Sequence, residues 1–101
     1  MRTVVVLAEA AEDIETARDF YEAQDPGIGD YFADSLLADI GSLALFLGIH
    51  FRQYGFFRML AHRFPYGIYY RDMANETQVF AILDLRRDPN WIREELTKRI
   101  H

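Results

Sequence analysis

Five arginines, Arg58, Arg63, Arg71, Arg86 and Arg87, fall on consecutive apolar runs or at their ends in the second half of the chain. A group of guanidinium forks suits phosphate oxygens or a carboxylate-rich protein segment, because each fork donates several parallel hydrogen bonds. The competing assignment is structural, with Arg63, Arg86 and Arg87 paired to Asp84, Asp88 and the acidic N-terminal half. Tyr66, Tyr69 and Tyr70 stand among these arginines and can stack on bases, or serve simply as half-buried strand residues. The histidines do not have metal-ligand spacing. His50 and His62 lie twelve apart in different elements, and His101 is terminal. There is no HExxH, no GxSxG elbow, no phosphate-cradling glycine loop and no cysteine, so neither a metal nor a cofactor is expected.

The elements that must position these residues follow from hydrophobic period. Met1 to Leu7 is a β-branched run and reads as a strand. From Ala8 the period becomes helical, with Ala10, Ile14, Ala17 and Tyr21 on one face and carboxylates crowding the start. The stretch Gln24-Asp25-Pro26-Gly27-Ile28-Gly29 breaks this helix. A second helix is predicted from about Asp30, with Phe32, Leu36, Ile40, Leu43 and Leu47 on its inner face and Gly48 as its stop. Residues 49–55 read as irregular, with a turn at Tyr54-Gly55. Phe56 to Phe64 reads as a strand, Phe57, Met59 and Ala61 on one face, Arg58, Leu60 and His62 on the other. Two more strands follow, Arg63 to Arg71 and a run through Val79 to Leu83, the latter apolar on both faces as a central strand would be. Asp88-Pro89 opens a last helix, with Trp91, Ile92, Leu96 and Ile100 inward and Lys98 and Arg99 at its negative end.

Strand, helix, helix, three strands and helix describe a single α+β domain over residues 1–101. A helical hairpin covers one face of a mainly antiparallel, four-stranded sheet. The net charge of −5 hides an asymmetry. Residues 1–50 carry two arginines against ten carboxylates, and residues 51–101 carry nine Lys or Arg against six. An acidic element packed beside a basic one fits this split, whereas a purely electrostatic nucleic-acid binder would be basic overall. The N-terminal apolar run is too short for a secretory leader, which together with the absence of cysteine points to the cytoplasm.

Three motifs, in order, carry a resemblance to a known family. "AEDIETARDFYEAQDPGIGDYFADSLLADI", "FRQYGFFRMLAHRFPYGIYYR" and "AILDLRRDPNW" resemble the helical hairpin, the middle strands and the last strand with its helix start in the RelE/ParE superfamily of toxins from type II toxin–antitoxin (plasmid stabilisation) modules. The resemblance covers nearly the whole chain and does not select a branch. It implies an antitoxin partner, whose C-terminal segment would lie in the helix–sheet groove with its carboxylates on Arg58 and Arg63. RelE-like members are ribosome-dependent mRNA endoribonucleases, and ParE-like members poison DNA gyrase. On the nuclease reading the resemblance puts Arg58, Arg63 and Arg86 in catalytic roles. On the other, Arg58, Arg63, Arg71, Arg86 and Arg87 bind target or antitoxin. An arginine usual in the nuclease branch is replaced here by Gly67, a strand position expected to accept any side chain with ordinary dihedrals. The usual tyrosine is replaced by Trp91 or Ile92, and the lysine-rich stretch survives only as Arg52, while Arg86 is retained. Losing donors to the charge developing on a transferring phosphate favours the ParE-like branch. The alternatives are the nuclease and an inactive relative that binds only its antitoxin, and a homodimer is compatible with each.

Overall fold

The computed structural model describes residues 2–46 and 48–100. Met1, assigned above to the first strand, Leu47, assigned to the inner face of the second helix, and His101 lie outside the described residues. Strand β1 (Thr3–Val6) leads into α1 (Ala8–Gln24) and α2 (Ile28–Gly41), which a single 3-10 turn (Ser42–Ala44) extends. Strands β2 (Phe51–Gln53), β3 (Phe56–Leu60), β4 (Tyr66–Asp72) and β5 (Glu76–Asp84) follow, and α3 (Pro89–Lys98) completes the domain. The sheet order is β1-β5-β4-β3-β2, with β1 parallel to β5 and the other pairs antiparallel. The α+β architecture is the expected one, and β5 is an interior strand, paired on both sides.

The differences lie at element ends. The sheet has five strands rather than four, because residues 51–53 pair with β3 instead of remaining irregular. Their connection is the two-residue turn Tyr54-Gly55, in which both residues have positive φ (53° and 84°). That conformation matches the twist of a tight hairpin, so the turn expected at Tyr54-Gly55 is present, while a tyrosine in a conformation costly for any residue but Gly or Asn does not signal that the turn closes a hairpin. Helix α2 starts two residues before Asp30 and ends at Gly41, well short of Gly48, with Leu43 kept buried by the 3-10 turn. Strand β3 stops at Leu60, so residues 61–65 are a turn rather than strand. Ile100, expected inside, is exposed past the end of α3, whereas Arg99 is buried.

Asp25 to Gly27 joins the two helices, and a defined contact fixes the junction. The Glu22 carboxylate accepts the backbone N–H groups of Gly27 (2.9 Å) and Gly29 (3.0 Å), which satisfies the donors at the start of α2. Both hairpin helices then bury one stripe, Ala10, Ile14 and Ala17 from α1 and Phe32, Leu36 and Ile40 from α2, against Met59, Ile68, Tyr70, Val79 and Ile82 of the sheet. The opposite sheet face packs Phe56, Tyr69, Ala81 and Leu83 under Ile92 and Leu96 of α3.

One irregularity ties the two layers together. The β4–β5 register shifts between Tyr69 and Tyr70, so Phe80 is an extra residue on β5. A bulge frees backbone groups that must find other partners when buried. Here Arg99, at the end of α3, donates to the Phe80 carbonyl (3.2 Å), and beyond the last β1 pairing Asp13 of α1 accepts the Ile82 N–H (2.9 Å).

Candidate functional site

Alternation along β3 puts Arg58 on the sheet face that carries α3, directly across from Tyr69 on β4. The guanidinium lies over the Phe51 ring (4.9 Å to its centroid) and donates from Nη1 to Gln53 Oε1 (3.2 Å). Its Nε is buried and has no hydrogen-bond partner among the described residues. Burial raises the Tyr69 phenol above its ordinary range, and Arg58 opposes that shift. At the turn after β5, Arg87 stacks on Trp91 at 3.8 Å. Arg58 and Arg87 line one small cavity of about 140 Å³ with Gln53, Tyr54, Tyr69 and Leu85.

The other three arginines go elsewhere. Arg71 shares the α3 face, but its guanidinium is held over Phe56 (4.6 Å) and Phe80 (5.6 Å) and donates to the Gly55 carbonyl (3.1 Å), which fixes the β2–β3 turn. Arg63 leaves the turn after β3 toward the hairpin. It meets the Tyr31 ring and donates to the Tyr31 hydroxyl (2.9 Å) rather than to a carboxylate. Arg86 folds back on Asp84 through two bonds of 3.0 and 2.8 Å, and these hold the Asp84 carboxyl below its usual range. Of the five arginines, Arg58 and Arg87 therefore share one cavity, with Arg71 nearby and already engaged.

The position of Gly67 is not open. A Cβ there would lie 2.9 Å from the Tyr69 ring and 3.0 Å from Leu85 Cδ2, both closer than carbon atoms pack. This overturns the expectation that any side chain fits. The aromatic ring of Tyr69, wholly buried, fills the place from which an arginine would reach across the face. Gly67→Arg is expected to overpack the site and to lower stability by about 1–3 kcal/mol, read as a lower urea midpoint at unchanged slope.

Two histidines set aside at the metal test have defined partners. His62 approaches the buried Asp39 of α2 through Nδ1 (2.6 Å), and its backbone N–H bonds the second carboxylate oxygen (3.0 Å). His50 Nδ1 lies 2.6 Å from the Tyr70 hydroxyl, which also accepts the Gly48 N–H. Among the described residues no three His, Asp or Glu are placed to share a metal ion. Burial holds the His50 imidazole below its ordinary pKa, and a neutral ring suits a hydroxyl that donates to Nδ1. Folded-state protonation is then harder than unfolded-state protonation. His50 should contribute stability that is present above about pH 6.5 and lost as pH falls through its lowered folded value. An NMR titration of the His50 ring checks this, since a midpoint at or above that of a free histidine would contradict it.

A hairpin on one face of a five-stranded, mainly antiparallel sheet, with a capped helix on the other, defines an α+β domain. The chain superposes on a chain of the chromosomal ParDE TA system from P. aeruginosa with a TM-score of 0.77, covering 84% of this chain and 97% of that one. Identity is 18%, so the likeness is one of fold. No family model and no curated protein matches the sequence.

Proposed function

We propose that this chain is the toxin of a type II toxin–antitoxin module, that a cognate antitoxin neutralises it, and that its target is DNA gyrase rather than the ribosome. The observation that carries the reading is the fold shared over almost the full length of a ParDE chain. The nuclease alternative needs Arg58, Arg63 and Arg86 to act together. Instead Arg63 turns to α2, Arg86 is tied to Asp84, and Tyr69 fills the space above Gly67. Scattered donors do not stabilise one developing charge, since that stabilisation depends on preorganised convergence. No described helix is long and apolar enough to cross a membrane, which accords with a cytoplasmic target.

Arg58 and Arg87 are the groups assigned to target contact, and exposed Arg63 to the antitoxin's carboxylates. Purified protein should inhibit gyrase supercoiling and leave A-site mRNA intact on translating ribosomes. The product of the adjacent reading frame should relieve that inhibition, and Arg63→Ala should weaken its calorimetric affinity by about tenfold. Codon-specific mRNA cleavage, lost on Arg86→Ala, would put the nuclease first. Absence of binding to any adjacent gene product would count against the module.

A further inference from the structure

Strand β2 ends the sheet and pairs on one side only. An open edge leaves alternate backbone N–H and C=O groups unpaired, and proteins usually guard such an edge with Lys, Pro, a bulge or a covering element. The sequence Phe51-Arg52-Gln53 has two of the milder guards, its length of three residues and the charge of Arg52, but carries no Lys, Pro or bulge. Large apolar side chains surround it instead, with Ile49 at 74%, Phe51 at 60%, Leu60 at 56% and Phe46 at 54% exposure. Scattered exposed leucines are ordinary, but several on one rim mark a surface that a partner covers. These four rim a depression of about 560 Å³, which also takes in His50, His62 and Arg58.

The charge of this surface identifies what would cover it. Among the described residues no carboxylate lines the depression. Asp39, behind His62, is buried and holds both the ring and the backbone N–H of that histidine. Arg52 on the strand lies over Phe57 (4.7 Å), and Arg58, paired with Phe51 across the hairpin, lies over the Phe51 ring. The edge is therefore apolar and cationic with unpaired backbone. A second copy of this chain docked edge to edge would set Arg52 and Arg58 against their own like charges, which is unfavourable across paired strands.

We propose that the β2 edge takes up an extended acidic segment of a partner protein as a sixth strand. Backbone bonds give the affinity in this mode, and alternate side chains give the specificity. Residues of the incoming strand beside Phe51 would be apolar and extend the rim. Those beside Arg52 would be carboxylates. The proposal needs neither gyrase nor any nuclease chemistry, so it stands or falls apart from the reading above.

The test is a random-peptide display library panned on the full chain, followed by hydrogen exchange on the complex of the best synthetic peptide. Enriched peptides should alternate apolar and acidic residues, protect the amides around Phe51 to Gln53, and bind more weakly at high salt. Ile49→Asp and Arg52→Glu, both at exposed positions, should keep the circular dichroism of the parent and lower peptide affinity by about tenfold each. Enrichment of basic sequences, protection confined to other elements, or affinity indifferent to both substitutions would overturn the proposal. So would a failure to enrich any sequence. A concentration-dependent dimer that Ile49→Asp dissolves would assign the edge to a second copy instead.

Discussion

Arg99→Ala is expected to cost the fold about 3–5 kcal/mol, because it strands a largely buried carboxylate. The Arg99 side chain is 7% exposed and that of Asp13 15%. Their two bonds, 2.5 Å from Nη1 and 2.9 Å from Nη2, join the end of α3 to α1 across the edge of the sheet. Glu95 accepts from the same guanidinium at 2.9 Å, and the Phe80 carbonyl takes a further bond. Burial raises the Asp13 carboxyl above its ordinary value even against the pull of Arg99. The pair therefore adds little net stability, yet losing one member is expensive. Without Arg99 the folded pKa of Asp13 rises further. A raised folded carboxyl contributes stability below its unfolded pKa and loses it as pH rises through the folded value. The deficit of Arg99→Ala should consequently be largest near neutrality and shrink as pH falls toward 3.8, the ordinary value for Asp13. The double variant Asp13→Asn/Arg99→Met removes both charges and leaves an amide oxygen for the Ile82 N–H, and should recover most of the loss. Urea unfolding across that pH range checks both points. A deficit that does not vary with pH would mean that lost packing, not a stranded charge, is responsible.

The same pair shows where sequence reading stops. Lys98 and Arg99 are adjacent and both suit the negative end of a helix, but Arg99 continues the buried stripe of Ile92 and Leu96 at helical spacing. Asp13 stands between Ala10 and Ala17 on the stripe of α1 in the same way. An acid and a base, each on an otherwise apolar stripe, are a legible signal of a buried pair, one that a helix-dipole assignment of each charge separately does not use. The hairpin was legible because seventeen and fourteen residues give period enough to read. Strand β2 was not, since three residues carry no period and its turn places a tyrosine where Asn or Gly is usual. Among the site residues, alternation placed Arg58 on its face. It could not place Arg63, because β3 ends at Leu60 and parity is lost in the turn that follows. Arg86 and Arg87 differ only through Asp84, which accepts the Arg86 backbone N–H (2.9 Å) and so turns that side chain away from its neighbour's. What fills the space above Gly67 is a packing fact about Tyr69, and a motif comparison sees only a missing arginine.

Phe32→Ala should be as costly as the loss of Arg99, about 3–5 kcal/mol, for an unrelated reason. Phe32 is wholly buried where α2 crosses the sheet. Its ring centroid lies 5.1 Å from Tyr21 of α1, 4.9 Å from Phe64 and 5.1 Å from Tyr66, the last two in edge-on contact. Truncation removes the transfer energy of a phenyl ring, leaves a cavity, and breaks aromatic pairs that add roughly 0.5–1.5 kcal/mol each beyond area. The damage should also be directional. Phe64 belongs to the turn between β3 and β4 that carries Arg63, and Tyr31, which holds Arg63, is Phe32's neighbour on α2. Hydrogen exchange should therefore speed up first at residues 61–66, with Arg63 loosened before the sheet opens. Phe20→Ala is the control. It deletes the same group from α1 at a side chain 52% exposed and should stay within about 0.5 kcal/mol of the parent. Comparable losses from the two variants would mean that α1 buries a different face from the stripe of Ala10, Ile14 and Ala17, and the hairpin would then be docked on the sheet through the wrong side.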